Sequence, residues 1–187
     1  MKKTGEMPCS VCGVLRRKIL NQKARELGLD KIAVAHNMDD EIQSVLMNQF
    51  RRNIRALARL GPSPGIIKNK KLVKRIKPLY FVREKESASF AFLKGFLNGY
   101  SECPNARGSF RISLRNFINN VEARHPGIKN NIVNSFMEML PILRQAYKGK
   151  GARICRRCGE VSSQKECRAC KILEKLSANN LKKGGNK

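Results

Sequence analysis

Seven cysteines in 187 residues carry the most legible chemistry of this chain. Four of them, Cys155, Cys158, Cys167 and Cys170, follow the pattern C-x2-C-x8-C-x2-C. Each C-x2-C turns the chain back so that both sulfurs face one ion, and two such pairs make a tetrahedral four-thiolate site, the donor set that suits Zn²⁺. A segment of about 35 residues buries too little apolar surface to fold without such a staple. The short spacer predicts a compact knuckle; an iron site or four reduced thiols are the alternatives. Around it stand Arg153, Arg156, Arg157, Lys165, Arg168 and Lys171. They suit contact with phosphates as well as a solvated basic surface.

The other three thiols are Cys9 and Cys12, a second C-x2-C, and Cys103. Three thiolates do not complete a four-cysteine zinc site. They can hold a [4Fe–4S] cluster with one iron open to an external ligand, or act as persulfide carrier and resolving thiols. A third reading makes Cys103, beside Pro104, a small buried residue and the pair a zinc half-site. A further constellation is His36-Asn37-Met38-Asp39-Asp40-Glu41, where a short apolar run gives way to a helix. In open α/β sheets ligands bind at the carboxyl ends of strands, and phosphates favour helix starts. Adjacent carboxylates there can hold Mg²⁺ or polarise a reacting group; an N-cap with acids favoured by the helix dipole is the simpler reading.

The charge balance points to a polyanion. Lys and Arg number 39 against 14 Asp and Glu, a formal +25, and such an excess seeks nucleic acid. Arg107, Arg111 and Arg115 recur every fourth residue, so an early helix start would align them. Arg16, Arg17 and Lys18 crowd the segment after Cys12, and Lys68, Lys70, Lys71, Lys74, Arg75 and Lys77 fill a later stretch. Aromatic residues are only 6%, which favours contact with the backbone of folded RNA over stacking on single strands. No run approaches the ~20 apolar residues of a membrane span, and residues 1–8 lack the apolar core of a signal peptide. The chain reads as cytoplasmic, where cysteines serve metals and redox chemistry rather than disulfides.

The elements that position these residues read as α/β. A helix is predicted from Ser10 to Leu27, with Val14, Leu15, Ile19, Leu20, Ala24 and Leu27 near one face and Gly28 as its C-cap. Lys31–Ala35 predicts a buried parallel strand. A helix follows, with Asp39, Asp40 and Glu41 in its first turn, to about Asn48. Residues 61–71 read as a loop, Lys74–Tyr80 as a strand stopped near Pro78, and Glu84–Leu97 as a helix with Phe90, Leu93 and Leu97 on one face. Helices over Ser109–Glu122 and Ile128–Ala146 come next. The domain reading is a disordered lead-in over 1–8, a main domain over 9–147 with RNA-binding helices, a linker over 148–153, the knuckle over 154–176 and a disordered basic tail over 177–187.

Several of these stretches, in order, resemble one family: PCSVCGVLRRKILNQKARELG, AHNMDDEIQSVLMN, ARLGP, RIKPL, ECP before a basic helix, and CRRCGEVSSQKECRAC. The family is the tRNA 2-thiolation (cytoplasmic tRNA 2-thiouridine synthetase) branch of the PP-loop, or N-type, ATP pyrophosphatases. The likeness runs from about Pro8 to Leu176 and is to its C-terminal two-thirds. It implies an α/β fold: an incomplete PP-loop ATPase core, Rossmann-like and of the adenine nucleotide α hydrolase type, with a helical extension and the four-cysteine zinc knuckle. It implies ATP-dependent adenylation of a uridine C2 oxygen in tRNA and displacement of AMP by sulfur, at the wobble position first of all. Thiolation elsewhere in tRNA, a non-catalytic zinc-dependent tRNA-binding subunit and an inactive fragment are the alternatives.

By that resemblance Cys9, Cys12 and Cys103 match the ligands of a catalytic [4Fe–4S] cluster, with persulfide chemistry as the competing scheme. Asp40 matches a catalytic acid near the adenylated uridine. Arg16 falls where relatives carry a phosphate-binding cation, and His36, Asn37 and Asp39 lie in the motif around the nucleotide and its Mg²⁺. Arg107, Arg111, Arg115, Lys71 and Lys74 are the residues expected on RNA. Implied partners are tRNA, a ubiquitin-like sulfur carrier or a sulfide donor, and a second copy in a homodimer. The family's N-terminal zinc finger and Ser-Gly-Gly-x-Asp-Ser loop have no counterpart in this sequence, so the expectation is either a fragment or a chain completed by a separate PP-loop subunit. Missing strands would leave an open edge and unburied apolar surface. Ala35 stands where Gly is common in relatives, and Ile42 where Ala is common.

Overall fold

The computed structural model describes residues 7–67, 69–96, 103–106, 109–147 and 153–184. The elements are α1 (Pro8–Glu26), β1 (Lys31–Ala33), α2 (Met38–Phe50), α3 (Ile54–Leu57), β2 (Lys74–Ile76), α4 (Glu84–Leu93), a 3-10 turn (Pro104–Ala106), α5 (Phe110–Arg124), α6 (Ile128–Ala146), β3 (Arg153–Ile154), β4 (Val161–Ser162) and α7 (Arg168–Gly184). Two compact units divide the chain. One comprises residues 1–32, 67–74 and 149–187; the other comprises 33–66 and 75–148. β1 pairs with β2 and β3 with β4, each in a two-stranded sheet.

The larger unit is a helical core built on α2. Its apolar residues Met38, Ile42 and Val45 are spaced so that one face turns inward, and Leu114 and Ile118 on α5 and Val133, Phe136 and Leu140 on α6 follow the same logic. They form two adjoining clusters. Met38, Ile42, Tyr80, Ile118 and Val133 make one, and Val45, Leu57, Phe136 and Leu140 the other, with Met137 packed against both. The short α3, absent from the sequence reading, is started by the Asn53 side chain accepting from the Ala56 N–H at 3.2 Å. It supplies Leu57 to the second cluster.

Among the described glycines, Gly61 has the least room for a side chain. Its φ is +107°, and a Cβ there would stand 2.7 Å from Leu140 Cδ2 and 3.2 Å from the Arg144 guanidinium. Arg144 cannot move aside cheaply, because it donates to the Leu60 and Ser63 carbonyls, both at 2.9 Å. Gly61→Ala is therefore expected to destabilise the unit by roughly 1–3 kcal/mol, from left-handed strain and overpacking together. A urea-denaturation midpoint equal to that of the unsubstituted chain would refute this.

In the smaller unit α1 packs against α7. α1 ends where Gly28 was expected to end it, with φ +65°. The Gly28 N–H donates to Arg25 O and the Leu29 N–H to Ala24 O, the paired bonds of a Schellman motif. The helix starts earlier than predicted, at Pro8, which is pre-set for a first helical position. Its buried face also differs. Asn21 and Ala24 are buried, whereas Ile19, Leu20 and Leu27 are exposed. A polar anchor at Asn21, described below, decides which side turns inward.

Other expectations shift as well. β1 covers three residues rather than five and alternates exposed and half-buried positions, so it is not a buried strand. β2 stops at Ile76, before Pro78. α4 ends at Leu93, and Phe90, Phe92 and Leu93 are exposed on it; Leu97 lies outside the described residues. α5 and α6 fall within two residues of their predicted bounds. α7 continues to Gly184, so helix occupies most of the segment expected as a disordered tail. The lead-in over 1–6 and the linker over 148–152 lie outside the described residues.

Candidate functional site: a four-thiol knuckle and an acidic helix start

The knuckle is assembled by backbone bonds that aim four sulfurs at one point. The Cys155 N–H donates to Glu160 O at 2.8 Å and the Gly159 N–H to Cys155 O at 2.9 Å. Gly159 takes φ +67° to close this turn, which a side chain would strain. Arg153 pairs with Ser162 and Ile154 with Val161 in an antiparallel ribbon. The second pair sits at the head of α7, whose Ala169 and Ile172 are buried. All four Sγ atoms lie within 4.8 Å of one another, with Cys158–Cys167 at 3.7 Å and Cys155–Cys170 at 4.0 Å. A tetrahedral zinc with Zn–S bonds of about 2.3 Å places its sulfurs about 3.8 Å apart. A four-iron cluster would bind each thiolate to a different iron and hold the sulfurs further apart. The donor set therefore fits a single thiophilic ion.

Electrostatics prepare the same site. The Cys167 N–H donates to Cys155 Sγ at 3.2 Å, and this bond above all pulls the Cys155 thiol down to about 6. Burial pushes Cys170 up to about 12 and also raises Cys167. Filling the knuckle must then expel protons from the more basic thiols. Lys18 of α1 lies beside these sulfurs: partial burial lowers its pKa, but the Cys158, Cys170 and Cys167 thiolates outweigh that and raise it. Its ammonium offsets the net negative charge of four thiolates around a divalent ion. Arg153, Arg156, Arg157, Lys165, Arg168 and Lys171 are all exposed, as a phosphate-facing collar requires, though Arg157 also pairs with Glu174 at 2.9 Å.

At the start of α2 three consecutive acids have three different fates. Asp39 is buried and ion-paired with the buried Lys129, and its other oxygen accepts the Glu84 N–H at 2.7 Å. Glu41 is buried as well, accepting the Gly61 N–H at 2.6 Å and pairing with Lys77 at 2.5 Å. Asp40 alone stays half-buried. It closes a capping box with Asn37, whose side chain accepts the Asp40 N–H at 3.0 Å, and it pairs with Arg111 at 3.0 Å. The expectation that Asp39 and neighbouring acids offer a pair of carboxylates to a nucleotide's Mg²⁺ is corrected here: Asp39 faces inward and is spent on Lys129. Helix geometry forces this, since successive residues point about 100° apart and cannot all face one ligand.

The remaining predicted residues divide clearly. Cys9, Cys12 and Cys103 are in no disulfide and are exposed, which rules out Cys103 as a buried filler. Cys9 and Cys12 lie three residues apart on α1 and so share a face. Arg16 is exposed on the same helix. His36 is exposed; desolvation first, then Lys77 and Arg111, outweigh Asp40 and Glu41 to lower its pKa, which favours the neutral imidazole. Arg111 donates to Gln43 and Ser44 besides Asp40, at 3.3 and 3.1 Å, so it orients Asp40 instead of standing free for RNA. Lys71 is likewise engaged, its Nζ donating to Gly159 O at 3.1 Å. Lys74 is exposed and Arg115 half-buried; Arg107 lies outside the described residues. Sequence reasoning missed Lys129, Glu160 and Asn21 as structural anchors. A lysine, a glutamate and an asparagine at unremarkable positions carry no periodic signal.

The structure is thus an α/β chain of mainly helical content with a four-thiol knuckle and an acidic, carboxylate-bearing helix start. No family model matches it. Many curated relatives do, three of which illustrate the likeness. It is 34% identical over 178 residues to tRNA 2-thiolation protein NcsA of Haloferax volcanii, covering 91% of this chain and 56% of the relative. It is 36% identical over 170 residues to tRNA-5-methyluridine(54) 2-sulfurtransferase of Pyrococcus horikoshii, covering 91% and 54%. It is 36% identical over 169 residues to cytoplasmic tRNA 2-thiolation protein 1 of Drosophila erecta, covering 90% and 48%. Among solved structures, the U34-tRNA thiolase NcsA from Methanococcus maripaludis with its [4Fe-4S] cluster matches with a TM-score of 0.73 at 37% identity, over 90% of this chain and 53% of that one. The chain is similar to these tRNA 2-thiolation proteins, and it spans about half the length of the curated relatives it matches.

Proposed function

We propose that this chain forms the thiol-bearing and knuckle-bearing part of an enzyme that thiolates C2 of a uridine in tRNA. What carries the reading is its likeness to the U34-tRNA thiolase over 90% of its length, together with three exposed cysteines outside any disulfide, Cys9, Cys12 and Cys103. In the reaction the uridine C2 oxygen attacks the α-phosphorus of ATP and pyrophosphate leaves. A sulfide equivalent then adds at C2, and AMP departs with the original oxygen. Mg²⁺ accompanies ATP. The PP-loop portion that cradles the pyrophosphate falls in the part of the relatives that this chain does not span. The charge of +25 supports tRNA as the partner.

Cys9, Cys12 and Cys103 are the proposed ligands of a [4Fe–4S] cluster, whose open iron would present sulfide when bound. Asp40, held by Arg111 and Asn37, is the one acid of the helix start placed to reach substrate. Neutral His36 offers a hydrogen bond at the same edge without adding charge, and Arg16 is a cation for phosphate. Lys74 and Arg115, with Arg107, are assigned to the RNA backbone, and Zn²⁺ to Cys155, Cys158, Cys167 and Cys170. A ubiquitin-like carrier or a sulfide donor, a homodimer and a cytoplasmic setting complete the reading; no helix of the described residues is long and apolar enough to cross a membrane.

Cys103→Ser is expected to abolish thiolation, assayed with the ATP-loop polypeptide present, while leaving tRNA binding and zinc content as in the unsubstituted chain. A variant that still thiolates, or one that loses zinc and fold together, would remove Cys103 from the reaction. Relatives named for position 54 match as well as those named for 2-thiolation generally. Mass mapping of the modified nucleoside in total tRNA therefore decides between the wobble uridine and position 54.

A further inference from the structure

We propose that the metal knuckle is the mount of the Cys9–Cys12 helix: once folded on its ion, it locks α1 in place through the buried side chain of Glu160. Glu160 lies two residues after Cys158 and belongs to the knuckle by its backbone, since its carbonyl accepts the Cys155 N–H at 2.8 Å. Its carboxylate points the other way, into α1. One oxygen accepts from Arg25 at 2.5 Å and the other from Asn21 Nδ2 at 3.2 Å. Both Glu160 and Asn21 are buried, so each would be costly to leave unpartnered.

Asn21 is also the hub of a second set of hooks. Its Nδ2 donates to Lys71 O at 2.9 Å, and its Oδ1 accepts the Val73 N–H at 3.0 Å. Lys71 in turn reaches back to the knuckle through its Nζ and Gly159 O. A third tie lies at the other end of α1. Arg168, next to Cys167, donates to Ser10 Oγ at 2.9 Å, and Ser10 stands between Cys9 and Cys12. These ties explain why α1 buries Asn21 rather than its leucines. Helix α1 has a polar seat, and the seat exists only while the turn around Cys155, Cys158 and Gly159 is held.

The consequence is a coupling between two cysteine sets within this one unit. Loss of the knuckle's ion unfolds the turn that presents Glu160. Arg25 and Asn21 then lose their acceptor, and α1 loosens with Cys9 and Cys12 on its first turn. Arg25 is a positioning residue in this scheme, acting on Cys9 and Cys12 only through the helix.

Backbone amide hydrogen exchange on the full chain tests the mount, comparing zinc-loaded protein, protein stripped by a chelator, zinc-loaded Arg25→Met and, as control, zinc-loaded Lys23→Ala. Lys23 is exposed and, among the described residues, forms its ion pair within α1, with Glu26. Stripping zinc is expected to accelerate exchange over residues 16–26 about tenfold or more, a local opening rather than a global one. Arg25→Met should do the same while retaining one zinc per chain, Lys23→Ala should not, and exchange in α5 and α6 should stay unchanged throughout. Equal protection of residues 16–26 in loaded, stripped and Arg25→Met protein would overturn the proposal. Its bearing on iron rests on Cys9 and Cys12 being cluster ligands. Under that reading Arg25→Met takes up less iron on anaerobic reconstitution. An unsubstituted chain that takes up none would sink the ligand assignment alone, leaving the exchange data to judge the mount.

Discussion

Cys170→Ser is expected to unfold the knuckle over residues 153–176 and to abolish zinc retention. The segment has almost no core of its own: Cys155, Ala169, Cys170 and Ile172 are its buried residues besides Glu160. Its two strands are two residues each, far short of a self-supporting hairpin. Under the zinc assignment proposed above, metal binding replaces the missing core; structural zinc sites supply roughly 10–16 kcal/mol of apparent free energy at neutral pH. Cys170 sits at the centre of that effect because it is buried and its Sγ stands 4.0 Å from Cys155 Sγ. Zinc content after gel filtration and near-ultraviolet absorption of a cobalt-substituted sample read the outcome. A variant holding one zinc per chain, with knuckle amides still protected, would show that three sulfurs and packing suffice. Acid should act in the same direction. Protons compete for the thiolates, so zinc retention falls as pH drops, most steeply once Cys155, at about 6, takes up its proton as well.

Lys129→Met is expected to cost the larger unit about 3–5 kcal/mol, the usual penalty for stripping one partner from a buried ion pair. Asp39 and Lys129 are both buried, and the ammonium also donates to Asn119 Oδ1 at 2.7 Å. The substitution leaves a carboxylate facing apolar neighbours without its counter-ion. Lys129→Met with Asp39→Asn should recover much of that loss, because the amide oxygen still accepts the Glu84 N–H and carries no charge to desolvate. Urea denaturation of both variants makes the comparison. If Lys129→Met lies within about 1 kcal/mol of the unsubstituted chain, the pair is not the anchor described. The result bears on function too, since it separates Asp39, a structural residue, from Asp40, the acid proposed to reach substrate.

Much was determined by the sequence alone. The knuckle was, because four cysteines at C-x2-C-x8-C-x2-C have few ways to turn other than around one ion. So were the helices over Ile128–Ala146 and from Asp39 onward, where apolar periodicity and first-turn acids agree. The Gly28 stop was legible because a left-handed residue closes a helix cheaply only as glycine. The resemblance to the thiolation family rested on motifs in order, and identities of 34–36% with its members agree with it.

Tertiary structure alone decided what the charged residues do. Asp39, Asp40 and Glu41 are equivalent in composition, yet one meets Lys129, one Arg111 and one Lys77 and Gly61. Those partners come from distant segments, and no local pattern encodes which acid will find which base. The inward face of α1 was hidden for the same reason. Hydrophobic spacing favoured Ile19, Leu20 and Leu27, but the burial of Asn21 was set by an acceptor 139 residues away. Periodicity reports how a helix would bury apolar surface against an apolar neighbour; where the neighbour offers a buried carboxylate, a backbone carbonyl and a backbone N–H, hydrogen bonding selects the face instead.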